Sequence, residues 1–217
     1  MKYEALFFSP IYRVARWAAR RARIVRPLLP ERSIAAIHHY VAVRALGGLP
    51  ERRYLEESIL PTLARAGFRR ILFVGCRRYT RHYGRYFDGE STEYWTADCD
   101  AAAATWGAPG RHLVCDIRAI RAHVPAGFFD VVLLNGVFGF GVNDEPSMNE
   151  TLAAIHDVLA PGGRLMVGWD KGIVPDPSGL SYMGQLFRPK PIEPLPAHKS
   201  FPENLEHVYD FFAALPA

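Results

Sequence analysis

The chain has 217 residues, 49% of them hydrophobic, 22% charged and 12% aromatic, with a formal charge of +4. These proportions exclude wholesale disorder and a scaffold that depends on disulfides, because a chain of this size buries roughly 70% of its unfolded surface. Three cysteines, Cys76, Cys99 and Cys115, an odd number without a Cys-x-x-Cys pair, point to a reduced, cytoplasmic compartment. No apolar run reaches the roughly 18 residues of a spanning helix and no signal-peptide order opens the chain, so neither a membrane span nor export is expected.

Residues 1–68 read as a helical N-terminal lid. Phe7, Phe8, Ile11, Tyr12, Val14 and Trp17 form one apolar set, and Ile34, Ile37, Tyr40, Val41 and Leu46 form a second that Gly47 and Gly48 end. A third helix is expected over residues 51–66 with Leu55, Ile59, Leu60 and Leu63 on one side, kinked or shortened by Pro61. Arg13, Arg16, Arg20 and Arg23 follow helical spacing, as the solvated face of an amphipathic lid helix does. The same crowding of arginines suits phosphates of RNA or a membrane surface, the weaker reading, so a nucleic-acid partner is not expected.

From Arg69 the pattern changes to short apolar runs that end in Gly, Cys, Asp or Asn and alternate with helical stretches, the signature of a doubly wound α/β sheet. Five strands are predicted: Ile71 to Val74, Tyr94 to Ala97, His112 to Val114, Phe129 to Leu134 and Arg164 to Gly168. Before the fifth, Met148, Leu152, Ile155 and Leu159 form a helical stripe, with Ser147 and Glu150 as a capping box and Pro161-Gly162-Gly163 as its end. Residues 69–170 thus make a doubly wound α/β core. Residues 171–217 form a proline-rich segment whose aromatic end, His207 to Phe212, is too apolar for a free tail and completes the core as a strand or a packed helix.

In an open parallel sheet, ligands bind beyond the carboxyl ends of the strands. After the first strand, Gly75 permits a sharp turn and close approach, followed by Cys76, Arg77, Arg78 and Tyr79. Asp98 ends the second strand at an offset that suits a ribose-hydroxyl acceptor, and equally suits a helix cap. Asp116 follows the third, either to accept from an adenine amine or to cap the next turn. The fourth ends in Asn135-Gly136-Val137-Phe138-Gly139-Phe140-Gly141, an apolar, glycine-rich loop fit for an adenosine or a sulfonium, or else a strand end whose phenylalanines are core. Neither a Walker loop nor Gly-x-Gly-x-x-Gly follows the first strand, which disfavours ATPases and dinucleotide dehydrogenases. The histidines show no metal spacing, so no metal is expected. Cys76 as a covalent nucleophile lacks a well-placed base, and a buried thiol is the better reading.

The order Ile71-Leu-Phe-Val-Gly-Cys76, Asp98, Asp116, Phe129-Asp-Val-Val-Leu-Leu-Asn135 and Leu159-Ala-Pro-Gly-Gly-Arg-Leu-Met166 resembles the class I S-adenosylmethionine-dependent methyltransferases over residues 69–170. The resemblance implies a Rossmann-like sheet that binds S-adenosylmethionine through Gly75, Cys76, Asp98, Asp116, Asn135, Gly136 and Phe138. The first loop departs from the family, since bulky and positive residues follow a single glycine. Either the cofactor sits differently there or the arginines point outward. The combination Val-Gly-Cys-x-x-Tyr-Thr-x-x-Tyr with Asn-Gly-Val-Phe-Gly is similar to the azetidine-2-carboxylate synthases, which cyclise S-adenosylmethionine itself. That resemblance implies displacement of 5′-methylthioadenosine by the substrate's own α-amine, with Asn135 orienting the amine and Tyr79 or Tyr182 against the sulfonium. Methyl transfer to a small acceptor is the principal alternative, and an inactive partner subunit is a further one.

Overall fold

The computed structural model describes residues 49–89, 91–202 and 206–216. Most of the expected N-terminal lid, including the arginine cluster, lies outside the described residues. The chain divides into two compact units, Met1–Arg53 and Tyr54–Ala217, and the sheet belongs to the second.

Helix α1 (Pro50–Tyr54) is followed by a π-helical turn, Leu55–Ile59, and by α2 (Leu60–Arg65). The expected kink at Pro61 takes this form for a simple reason. Proline has no N–H to give to the preceding turn, and the Leu60 N–H reaches back five residues to the Leu55 carbonyl, opening the turn that the proline ring would otherwise strike.

The strands are β1 (Arg70–Val74), β2 (Glu93–Asp98), β3 (His112–Val114), β4 (Phe129–Asn135), β5 (Leu159–Asp170), β6 (Phe187–Pro189), β7 (His198–Phe201) and β8 (His207–Ala214). They form one sheet in the order β3-β2-β1-β4-β5-β8-β6, with β7 also on β8. The first five are parallel and β8 is antiparallel to β5. Strands β6 and β7 pair with successive stretches of β8, Phe212–Ala214 and His207–Asp210, so they are one edge strand interrupted by residues 190–197. The buried Arg164 fastens that interruption by donating to the carbonyls of Lys190 and Pro191.

Alternation along β4 explains its near-continuous apolar run. Val132 and Leu134 enter a core that includes Leu72, Val74, Leu165 and Trp169, while Val131 and Leu133 enter another with Ile71, Phe73, Met166 and Phe211. The first core is covered by α3 (Glu145–Val158) and α4 (Ser181–Leu186), and the second by α2 and a turn at Tyr83–Phe87.

The structure corrects three local expectations. The connections after β1, β2 and β3 contain short 3-10 turns, Arg78–Thr80 with Tyr83–Phe87, Ala101–Trp106 and Ile117–Ala122, where regular helices were expected. Helix α3 is capped by Asp144, whose carboxylate accepts from the Ser147 N–H at 2.9 Å; Ser147 is therefore inside the helix and its capping box with Glu150 does not form. Strand β5 begins at Leu159, paired with Phe129, and the register shifts before Arg164 meets Val131; Pro161-Gly162-Gly163 is a bulge between those pairs, with Gly162 at φ +71°.

Candidate active site

The carboxyl ends of β1, β2, β4 and β5 bring together Gly75, Asp98, Asn135 and Gly168. Gly75 adopts φ +91°, which a side chain would strain, and donates its N–H to Ala97 O on β2 at 2.9 Å. The next N–H, from Cys76, donates to Asp98 Oδ2 at 2.7 Å. Asp98 is buried, and its other oxygen accepts from the Asp100 N–H at 2.9 Å. The carboxylate thereby holds the first loop against the second strand.

Arg77 completes this arrangement. Its guanidinium donates to Asp98 Oδ2 at 2.9 Å and to the Cys76 carbonyl at 2.6 Å, with about half of its side chain exposed (49%). Thr80 closes the loop, accepting from the Arg77 N–H at 3.0 Å and donating to the Arg77 carbonyl at 2.9 Å. Arg77 therefore points neither outward nor across the crevice: it lies on the acid expected to receive a ribose. Burial pushes the Cys76 thiol up to about 11, so it stays neutral near pH 7, as a packed cysteine and not as a nucleophile.

At the end of β4, Asn135 pairs in register with Gly168 of β5, and the Gly136 N–H donates to the Gly168 carbonyl at 2.9 Å. The Asn135 side-chain oxygen is buried without a hydrogen-bond partner, over the bare α-carbon of Gly168. A methyl group on Gly168 would fall well inside contact distance of that oxygen and 3.0 Å from Cε1 of Tyr209. A buried, unpaired amide oxygen costs free energy, so the amide gains by turning from Gly168 toward a donor when a ligand N–H is at hand.

The other residues expected at the site lie differently. Asp116 is the cap of the Ile117–Ala122 turn and is gripped by Arg118 through Nε at 3.0 Å and Nη2 at 2.5 Å, contacts that hold its carboxyl below the usual range. Phe138 is 1% exposed within the apolar core, and of that loop's two phenylalanines it is Phe140 that reaches solvent. Tyr79 is half-buried in the turn after Arg77. Tyr182 is exposed on α4, its N–H donating to the Asn149 side chain at 3.0 Å.

Sequence reasoning missed a histidine–carboxylate contact at the same end of the sheet. Asp170 ends β5, His207 begins β8, and His207 Nδ1 lies 2.6 Å from Asp170 Oδ1, both side chains largely buried. Asp170 carries the same signal as Asp98, an acid at a strand end. His207 gave none, because its partner lies 37 residues away. Among the described residues, no group of three or more His, Cys, Asp or Glu could hold a metal, and no helix is long and apolar enough to cross a membrane.

No family model matches this sequence, and no curated protein does. Solved structures do match it. The N-methyltransferase NodS from Bradyrhizobium japonicum WM9, in complex with S-adenosyl-L-homocysteine, has a TM-score of 0.59 at 14% identity, over 78% of this chain and 90% of its own. A TehB-like SAM-dependent methyltransferase from Corynebacterium glutamicum ATCC 13032 Kitasato has a TM-score of 0.55 at 19% identity, over 86% and 100%. The 1,6-didemethyltoxoflavin-N1-methyltransferase of Burkholderia thailandensis has a TM-score of 0.52 at 17% identity, over 82% and 90%. The fold is that of the class I methyltransferases.

Proposed function

We propose that this protein is an S-adenosylmethionine-dependent enzyme whose reaction is cyclisation of that molecule to azetidine-2-carboxylate and 5′-methylthioadenosine. The observation that carries the reading is the unpartnered Asn135 oxygen, beside the glycines of three neighbouring strand ends. The neighbours' fold and the S-adenosyl-L-homocysteine of the NodS structure support the choice of ligand.

The residues present fit the ligand at two points. Asp98 Oδ1 has one protein donor, and a carboxylate oxygen has room for a second from a ribose hydroxyl. Asn135 offers an acceptor to the amino group. S-Adenosylmethionine supplies a sulfonium leaving group: the amine nitrogen would bond to the γ-carbon as the γ-carbon–sulfur bond breaks, its electron pair leaving with sulfur as the neutral thioether. Ring closure needs the amine unprotonated, and a neutral amide oxygen holds an amine N–H without stabilising the ammonium as a carboxylate does. Tyr79, on the Gly75 loop, is our assignment for the aromatic face at the sulfonium, with Tyr182 as the second candidate. Asp116, already held by Arg118, has less to offer an adenine amine.

The Asp170–His207 pair favours a second reading, methyl transfer to a small acceptor. A histidine oriented by a carboxylate can take a proton from an acceptor, which cyclisation does not require. Incubation of the purified protein with S-adenosylmethionine alone, followed by mass spectrometry against a buffer control, separates the two. Cyclisation yields 5′-methylthioadenosine together with azetidine-2-carboxylate. Intact S-adenosylmethionine that binds but is not consumed removes the cyclase reading and leaves methyl transfer, while absence of binding removes both.

A further inference from the structure

Two of the three cysteines meet at the carboxyl ends of β2 and β3. The register between these strands pairs Thr96 with His112, Ala97 with Leu113 and Asp98 with Val114. One further ladder bond follows, from the Cys115 N–H to the Asp98 carbonyl at 3.0 Å. Cys99 and Cys115 therefore occupy the next register position, and alternation turns both to the side of Ala97 and Leu113, which lie in or against the core under α3. Cys99 is exposed and Cys115 half-buried, whereas Cys76 is sealed in the interior. The two thiols are close enough to sense each other: burial raises the Cys115 thiol above its usual range, and negative charge at Asp116 and at Cys99 raises it further.

Neighbouring strands lie about 4.8 Å apart, inside the span of roughly 4.4–6.8 Å between α-carbons that a disulfide tolerates. Side chains of parallel partners leave their strands side by side, so their β-carbons start about 4.8 Å apart, and a disulfide holds β-carbons at about 3.8 Å. Closing the bond thus draws the two strand ends together by about 1 Å. Cys99 stands between Asp98 and Asp100, whose N–H holds Asp98 Oδ1 at 2.9 Å. A shift at Cys99 acts on both ends of that hydrogen bond, and through Asp98 on its contact with the Cys76 N–H. We infer that Cys99 and Cys115 are a redox modification site, a reversible disulfide that moves Asp98 out of its ligand-binding position.

The oxidant is a hydroperoxide. The exposed Cys99, as thiolate, attacks one oxygen of hydrogen peroxide; the O–O bond breaks, the other oxygen leaves as water after taking a proton, and Cys99 becomes a sulfenic acid. The Cys115 sulfur then bonds to the Cys99 sulfur, and the sulfenic hydroxyl departs with the Cys115 proton as a second water. In sum, two thiols give up two protons and two electrons, and one peroxide becomes two waters. Cys115, half-buried and with its thiol held in the neutral form, suits the second step and not the first.

The disulfide is tested on the full chain, and its effect on Asp98, which rests on the S-adenosylmethionine reading, by binding. Protein reduced with dithiothreitol and freed of it is treated with hydrogen peroxide, cleared of peroxide, and mapped by mass spectrometry of its peptides without reduction. The expected product is a single Cys99–Cys115 link within one chain, reversed by dithiothreitol, with Cys76 still a thiol. S-Adenosylhomocysteine, titrated calorimetrically, is expected to bind the oxidised form roughly 10-fold more weakly than the reduced one, the size of one hydrogen bond to a charged group. C99S and C115S are expected to keep the reduced affinity after the same treatment. Cys99 that stops at the sulfinic acid, or links two chains, overturns the disulfide. A Cys99–Cys115 link that leaves the affinity unchanged overturns the effect on Asp98. Failure of the reduced protein to bind S-adenosylhomocysteine overturns the S-adenosylmethionine reading and that effect with it, while the peptide map still decides the disulfide.

Discussion

Gly168 governs the acceptor geometry of the site, because the Asn135 amide oxygen lies where its side chain would be. In G168A the new methyl group drives the amide away from Gly168 and presses on Tyr209. Overpacking of this kind costs about 1–3 kcal/mol. The expected outcome is a lowered Tm with a larger loss in S-adenosylmethionine consumption than the stability change accounts for, measured below the Tm of the variant. Activity equal to wild type would show that Asn135 has no part in the reaction. Asn135 was legible in the sequence as a strand-end residue, but Gly168 was not: its role comes from lying opposite Asn135 across two parallel strands 33 residues apart in the chain. Asp98 was legible as an acid at the right offset, and its two readings merge in the structure. It both caps the loops, through the Cys76 and Asp100 N–H groups, and retains an open lone pair. That Arg77 would lie on it was beyond a reading of spacing, because the charge in a loop does not reveal which of several acids it meets.

Helix α3 shows how an element's start is decided by one side chain. Its apolar stripe was plain, with Met148, Leu152 and Ile155 buried as expected, but Ser147 and Asp144 both fit a cap by type. Pro146 decides between them: proline belongs in the first turn, where its missing N–H needs no partner, which puts the cap at Asp144. Ser147 donates both its N–H and its hydroxyl to the Asp144 carboxylate, at 2.9 Å each, and these bonds hold the carboxyl below its usual range. Because the folded value is depressed, the stabilisation is fully present above the unfolded pKa and is lost as pH falls through the folded one. D144A is therefore expected to melt below the wild type at neutral pH, with the two Tm curves converging as the solution is taken to acid below the carboxylate range. A gap that stays constant down to that pH would show that the charge on Asp144 does not contribute. The absence of regular helices after β1, β2 and β3 was not legible, because apolar spacing over six residues fits a 3-10 turn as well as the first turn of an α-helix.

Across the whole molecule, the parallel half of the sheet could be read locally, and the antiparallel half could not. Each parallel strand announces itself by an apolar run and a terminating Gly, Cys, Asp or Asn, whereas β6 and β7 are short, half-exposed and separated by a proline-rich loop that masks their being one edge. What joins the halves is β8, formed by the aromatic end of the chain. Its Val208 and Phe212 enter one core and its Tyr209 and Phe211 the other, while its backbone pairs with β5 on one side and with β6 and β7 on the other. Burying four such side chains at about 1.5–3 kcal/mol each gives roughly 6–12 kcal/mol, close to the 5–15 kcal/mol that keeps a typical domain folded. Removing β8 also strips β5 of its antiparallel partner and leaves Trp169 without the Asp210 carboxylate that accepts its indole N–H at 2.7 Å. A chain ended at Pro202 is accordingly expected to lose its cooperative thermal transition and its near-ultraviolet circular dichroism, not merely to melt some degrees lower. A sharp transition surviving in that truncated chain would mean that β1 to β5 fold without the strand that closes both cores.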